Sequence, residues 1–385
     1  VPVNGSQFDP RIAAVYRDGR DVLGNVEWFD AHTHIGHNDP DGRKATPEEI
    51  LGGLDAAGCR RGLVFAMHEP DGYPAANDAV LEATATSGGR LVPLARIAPN
   101  ADGAVAEAER CLAAGAVGFK LHPRSDAFGL PHPVVDQVVA LATERRAPVL
   151  FHAGRGIPHL GEAVVDLARA NPGARLILAH AGISDLGWIA REAADLPNLF
   201  FDTAWWNVAD LLQLYATIRP GQILYASDMP YGPGVFASFC FLRVARAVGL
   251  DQPALRSIAG EQLARVVAGE DPADLGPAPG PDAVGARVIE TERVVSYCSI
   301  ALQLAFRGYE AVEPVALARL ACRTSRDGNV RSVLEYVDQL LAIAQENAAA
   351  APETPLATMP PVLQAMVIAG TPGVGAPKAP VALLA

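Results

Sequence analysis

The stretch Phe29-Asp30-Ala31-His32-Thr33-His34 closes the first apolar run of the chain, and its reading decides the fold. Side chains alternate along a strand, so two histidines one residue apart share a face. Held side by side on a rigid strand, the two imidazoles make half of a metal site. The same position separates two architectures. An open, doubly wound α/β sheet carries a glycine-rich phosphate turn after its first strand. Here His32-Thr33-His34 stands in that place, and neither a Walker-type nor a dinucleotide fingerprint occurs elsewhere in the sequence.

Outward from this stretch, short apolar runs alternate with longer amphipathic ones. Strands are expected over residues 26–34, 62–68, 91–99, 117–123, 148–154, 175–182, 199–205 and 222–228. Helical patterns lie between them, among others at 46–58, 102–114, 133–144, 160–170 and 235–248. Thr46-Pro47-Glu48-Glu49 supplies an N-cap, a proline in the first turn and acids that complement the helix dipole. Gly58 and Gly115 follow periodic stretches where a helix end calls for a left-handed residue. Continuously apolar strands, most of them followed by a helix, predict a parallel sheet covered by helices. Eight such units match the size of a closed (β/α)₈ TIM barrel.

Five segments are expected: an N-terminal extension over 1–25, the barrel over 26–270, a linker over 271–282, a helical appendage over 283–350 and a tail over 351–385. The linker is rich in Pro, Gly and Asp. The appendage reads as amphipathic helices, which would pack on the barrel or form a homo-oligomer contact. The tail holds seven prolines and few charges and is expected to be extended or disordered.

The 385 residues are half hydrophobic, enough for a large core. A net charge of −12 argues against nucleic acid or an anionic membrane as partner. No apolar run reaches membrane-spanning length, and no basic start followed by an apolar run reads as a signal peptide. Five scattered cysteines suit free thiols, so a cytoplasmic location is expected.

The nine histidines all occur at or before position 180. His32, His34, His68, His122, His152 and His180 end expected strands, and in a (β/α)₈ barrel active sites are built at that face. Asp228 ends the eighth strand in the same way. Imidazoles with a carboxylate form an N/O donor set suited to Zn²⁺ and acceptable to Mn²⁺, Fe²⁺ or Co²⁺.

Five motifs, Asp30-Ala31-His32-Thr33-His34, Gly118-Phe119-Lys120-Leu121-His122-Pro123, Phe151-His152-Ala153-Gly154, Ala179-His180-Ala181-Gly182 and Ser227-Asp228-Met229-Pro230, come in one order. Together they resemble the amidohydrolase superfamily, in particular the branch with small-molecule hydrolases and non-oxidative decarboxylases. One landmark departs from it: where an Asn-Ala pair is frequent, this chain has Gln262-Leu263. The resemblance implies that His32, His34, His152 and Asp228 bind one divalent metal. It also implies that His180 stands beside the water to be activated and that Asp228 moves its proton.

Lys120 is open to two readings. Some members of the superfamily carboxylate a lysine on the fourth strand to bridge two metals; a plain amine would instead bind substrate or pair with Asp228, leaving a single metal. Arg96, Arg124 and Arg155 lie at the same mouth, and guanidiniums suit a carboxylated substrate. His68, His122 and Trp205 are further candidate substrate contacts, with ordinary wall packing as the alternative. The expected function is a metal-dependent hydrolase acting on a C–N or C–O bond of a small carboxylated molecule. The alternative is a metal-dependent decarboxylase of an unsaturated or aromatic acid.

Overall fold

A computed structural model of the chain describes residues 9–154, 156–323 and 328–381. The eight strands are β1 (Trp28–Ile35), β2 (Cys59–Ala66), β3 (Leu91–Arg96), β4 (Gly118–Leu121), β5 (Pro148–Phe151), β6 (Arg175–Leu178), β7 (Leu199–Asp202) and β8 (Ile223–Leu224). They pair in parallel in sequence order. The seam between β8 and β1 is closed by backbone bonds: Ala31 N–H to Tyr225 O at 2.9 Å, Asp228 N–H to His32 O at 2.9 Å and His34 N–H to Met229 O at 2.8 Å. The molecule is a TIM barrel with extra C-terminal helices, as the alternating pattern predicts.

Helices α1 (Pro47–Ala57), α2 (Pro74–Thr86), α3 (Ala104–Ala113), α4 (Pro133–Glu144), α5 (Leu160–Ala170), α6 (Leu186–Ala193), α7 (Val208–Thr217) and α8 (Gly234–Ala247) cover the sheet. The start of α1 is a capping box. Glu49 N–H donates to Thr46 Oγ1 at 3.2 Å, and Thr46 N–H donates to the Glu49 carboxylate at 2.8 Å. Gly58 ends the helix at φ +68°, a conformation costly for any residue with a Cβ.

Two apolar layers result. One lies between sheet and helices. The other fills the barrel itself with Phe29, Ala31, Leu63, Phe65, Leu94, Leu150, Ile177 and Phe200, and Leu263 and Val266 close it from below. The last two belong to α10 (Gln262–Val267), which comes after the short α9 (Gln252–Arg256). Gln262, at the departing landmark, is buried. Its amide bonds the Gly221 and Ala273 carbonyls and accepts from Ala273 N–H, so it ties residues after the barrel back to the barrel's base.

The C-terminal helices are α11 (Ile289–Phe306), α12 (Val312–Ala321), α13 (Asn329–Ala350) and α14 (Met359–Gly370). The last corrects the expectation of a disordered tail. Every residue of α14 is buried except the half-buried Pro360. It packs on α11 and α13 on one side and on α7 and α8 of the barrel on the other. A helix apolar all round belongs inside a protein and shows no amphipathic period. Its two prolines, Pro360 and Pro361, sit in the first turn, where a missing N–H costs nothing. The buried Arg243 of α8 anchors the segment after α14, donating to Thr371 Oγ1 at 3.1 Å and Gly375 O at 3.1 Å.

No helix among the described residues is long and apolar enough to cross a membrane. All five cysteines are buried and unpaired.

The buried Asp30 holds the β8–β1 seam: its Oδ1 accepts from His32 N–H and from Ser227 N–H, both at 3.0 Å. Replacing it by Ala strands two buried backbone donors. Asp30→Ala is therefore expected to lower unfolding stability by about 2–4 kcal/mol in urea titrations, and Asp30→Asn, which keeps the acceptor, by about 1 kcal/mol.

Candidate metal centre and active site

The barrel's interior alternation explains how each side chain reaches the mouth. On β5, β7 and β8 the inward phase runs on unbroken from Leu150 to His152, from Phe200 to Asp202, and from Leu224 through Ala226 to Asp228. β1 is different. Phe29 and Ala31 face inward, so strict alternation would turn His32 and His34 away. Between Asp30 and Thr33 the strand takes three residue steps against two on β2 (Asp30 opposite Gly62, Thr33 opposite Val64). This bulge reverses the phase and aims both imidazoles into the mouth. On β6 the same correction is made by His180, whose φ of +56° swings it inward after Ala179. Asp228 also adopts a left-handed conformation, φ +61°. Such conformations in non-glycine residues concentrate at functional sites.

Three donor atoms converge. His32 Nε2 and His34 Nε2 are 3.1 Å apart, and Asp228 Oδ1 lies 3.1 Å from His34 Nε2 and 3.3 Å from His32 Nε2. A tetrahedral zinc site with bonds of about 2.0–2.1 Å has edges of about 3.3–3.4 Å, so the triangle fits a cation of that size. His180 stands beside it: one donor atom each from His32, His180 and Asp228 fall within 4.8 Å of one another.

Protonation suits the same purpose. His32 Nδ1–H donates to Asp202 Oδ2 at 2.7 Å, and His180 Nδ1–H donates to the Ala204 carbonyl at 2.8 Å. In each ring the Nε2 is then an unprotonated acceptor; that of His32 faces the triangle, and that of His180 meets His152 Nδ1 at 2.9 Å. Burial, reinforced by the nearby Lys120 ammonium, holds the protonated forms of His32 and His34 well below the ordinary histidine range. Burial alone dominates for His180. Burial pushes the Asp228 carboxyl up to about 6, against the pull of His180 and Lys120.

His152, placed by the resemblance among the ligands, is one step removed from the triangle. Its Nδ1 meets His180 Nε2 at 2.9 Å, and its ring stacks on His122 with centroids 3.7 Å apart. Lys120 is fully buried, its Nζ over the Phe65 ring at 4.8 Å, without a hydrogen-bond partner among the described residues. It forms no ion pair with Asp228, one of the two roles open to a plain amine. Burial lowers this amine to about 7, although Asp202 and Asp228 act the other way.

Arg96 is committed to the wall: its guanidinium bonds Ser125, Asp126 and the Ala66 carbonyl and lies over Tyr73. His68 borders the same network, 3.6 Å from Asp126. Arg124 is exposed and lines the site, and no ion pair engages it among the described residues. Arg155 lies outside the described residues. Trp205 lines the cavity beside His180, its Nε1–H on Asp210 at 2.6 Å.

Asp202 is the functional residue that sequence reading missed. One oxygen orients His32; the other accepts His180 N–H at 2.8 Å and Ala204 N–H at 3.0 Å. Its signal was present, since Leu199-Phe200-Phe201-Asp202 ends an apolar strand in a carboxylate just as Asp228 does. Tyr231, bonded to Asp39 across the mouth, forms part of the site wall.

A sequence family described as amidohydrolase matches residues 29–261. No curated protein sequence shows a significant match. Among solved structures, the chain is similar to an uncharacterized TIM-barrel protein from Bordetella bronchiseptica, with 16% identity, TM-score 0.53, and 63% of this chain against 99% of that one. A 2,6-dihydroxybenzoate decarboxylase from Rhizobium aligns at 15% identity and TM-score 0.50, over 63% of this chain and 99% of its own. A putative amidohydrolase from Staphylococcus aureus aligns at 14% identity and TM-score 0.51, over 63% and 99%. At these identities the likeness shows the fold.

Asp202→Ala is expected to weaken zinc binding about 10- to 100-fold in chelator competition, because it frees the His32 ring without removing a donor. Metal affinity, read by chelator competition, should fall as pH drops below about 7: there the Lys120 amine gains its charge and the Asp202 carboxyl its proton, and near 6 the Asp228 carboxyl follows. The buried imidazoles are already neutral in this window, so affinity should level off above it.

Proposed function

The chain belongs to the amidohydrolase family, and from that premise we propose that it is a metal-dependent hydrolase of a C–N or C–O bond in a small carboxylated substrate. One observation carries the reading. Asp228 places Oδ1 against both His32 and His34, yet keeps 21% of its side-chain surface open to the cavity. A single carboxylate would thus hold a cation and face a substrate.

The ligands proposed are His32, His34 and Asp228, with His152 joining them once its ring leaves His180. A divalent cation there, Zn²⁺ in the simplest case, would acidify water and polarise the substrate carbonyl. Asp228 takes the proton from the attacking water and hands it to the departing nitrogen or oxygen. Its raised pKa suits both halves of that exchange. His180 orients the water: with Nδ1–H committed to Ala204, its Nε2 accepts and does not donate. Stabilising an oxyanion would need an imidazolium, which burial disfavours. Arg124 is the proposed partner of the substrate carboxylate.

The second reading is decarboxylation of an unsaturated or aromatic acid. Trp205 and Trp206 line the cavity next to His180 and would stack on such a ring, and one structural neighbour is named a 2,6-dihydroxybenzoate decarboxylase. The two readings share the ligands and differ in product. Candidate acids, amides and esters incubated with the zinc-loaded chain should release amine or alcohol; release of CO₂ instead would select the lyase.

His32→Ala and Asp228→Ala are each expected to reduce bound metal to near zero by elemental analysis and to abolish turnover, with the far-ultraviolet spectrum unchanged. Full metal occupancy in either variant would overturn the ligand assignment.

A further inference from the structure

The donor cluster opens into a chamber that the barrel alone does not build. A cavity of 490 Å³ is bordered by His180 and Asp228 at its polar end. That is within the range of roughly 300–1,000 Å³ of small-ligand sites. On the barrel side its wall is Trp205, Trp206 and Phe236; on the other it is Phe306 of α11 with Met359 and Leu363 of α14. Both helices lie beyond residues 29–261, which carry the family match.

Two features argue that this wall is more than packing. Phe306 is 53% exposed although it closes the chamber against Trp206, ring centroids 6.1 Å apart. A large aromatic left half in water at the rim of an apolar cavity gains most when a ligand covers it. The chamber also carries cations: Arg124 borders it and the adjoining 390 Å³ cavity that reaches His32 and His34, and Arg307 lies at its rim beside Phe306.

We propose that α11 and α14 are specificity elements of the active site. They select a substrate with an extended apolar group, an alkyl chain or aryl ring several carbons long, attached to the polar function that reacts at His180 and Asp228. The proposal rests on the reading of the donor cluster as the catalytic centre and names the class of molecule that reaches it. Phe306, Met359 and Leu363 hold the apolar end, and Arg124 meets a carboxylate near the reacting end.

The test uses straight-chain carboxylates, acetate, butanoate, hexanoate and octanoate, binding to the zinc-loaded full chain by calorimetry. Affinity should rise by about two- to fourfold per added methylene, the factor expected when each is taken out of water. Phe306→Ser, at a half-exposed position, should flatten this slope and leave acetate unchanged. Gln303→Trp, on the same wall, should fill the chamber and weaken octanoate about tenfold or more while sparing acetate. Arg124→Gln should weaken all four acids equally. A flat series in the native chain, or a slope unaltered in both the Phe306 and Gln303 variants, would overturn the proposal. Failure of the catalytic reading looks different: the native chain would take up no zinc, while the chain-length slope persisted.

Discussion

The site depends on the Asp30 carboxylate and the bulge it holds. One oxygen takes the N–H of His32 on β1 and of Ser227 after β8, so a single buried side chain locks the strand that carries two of the proposed ligands to the segment that carries the third. The lock has an electrostatic cost: burial pushes the Asp30 carboxyl up to about 7 despite these bonds. The extra residue of the bulge is what turns His32 and His34 inward. Without it strict alternation would turn the imidazoles toward the helices.

A second constraint is laid over the first. Asp202 and the Ala204 carbonyl each claim the Nδ1 of one histidine, leaving the Nε2 lone pair of His32 directed at the cluster and that of His180 at His152 Nδ1. Burial keeps the rings neutral, and neutral rings so oriented are acceptors without donors of their own. Electron-rich atoms at hydrogen-bond distance are favourable only with a cation or a proton among them. The fold therefore concentrates at one end of the barrel the polar groups that its interior excludes elsewhere.

Much of this was legible in advance because a parallel barrel imposes simple rules. Strands buried on both faces read as apolar runs, and polar residues ending such runs must face the mouth. That logic located His32, His34, His152, His180 and Asp228. It applied equally to Asp202, which ends the apolar run of β7. It failed for α14, where periodicity has nothing to detect: a helix surrounded on all sides needs no polar face. The two prolines that looked like breakers are tolerated in its first turn. The partners of Arg96, Ser125 and Asp126, come after a different strand, so no local pattern shows that pairing.

By itself, the sequence determined the barrel, the order of its strands and the residue types gathered at one end, because these arise from local periodicity and from the burial of apolar runs. Only the tertiary structure decided which way His32, His34 and His180 point, which nitrogens are free, and that the C-terminal helices wall the chamber beside Asp228. Those depend on a bulge, on left-handed residues and on contacts between segments distant in the chain, such as Trp206 with Phe306. Such contacts are set by how elements pack against one another, and packing leaves no period in the chain.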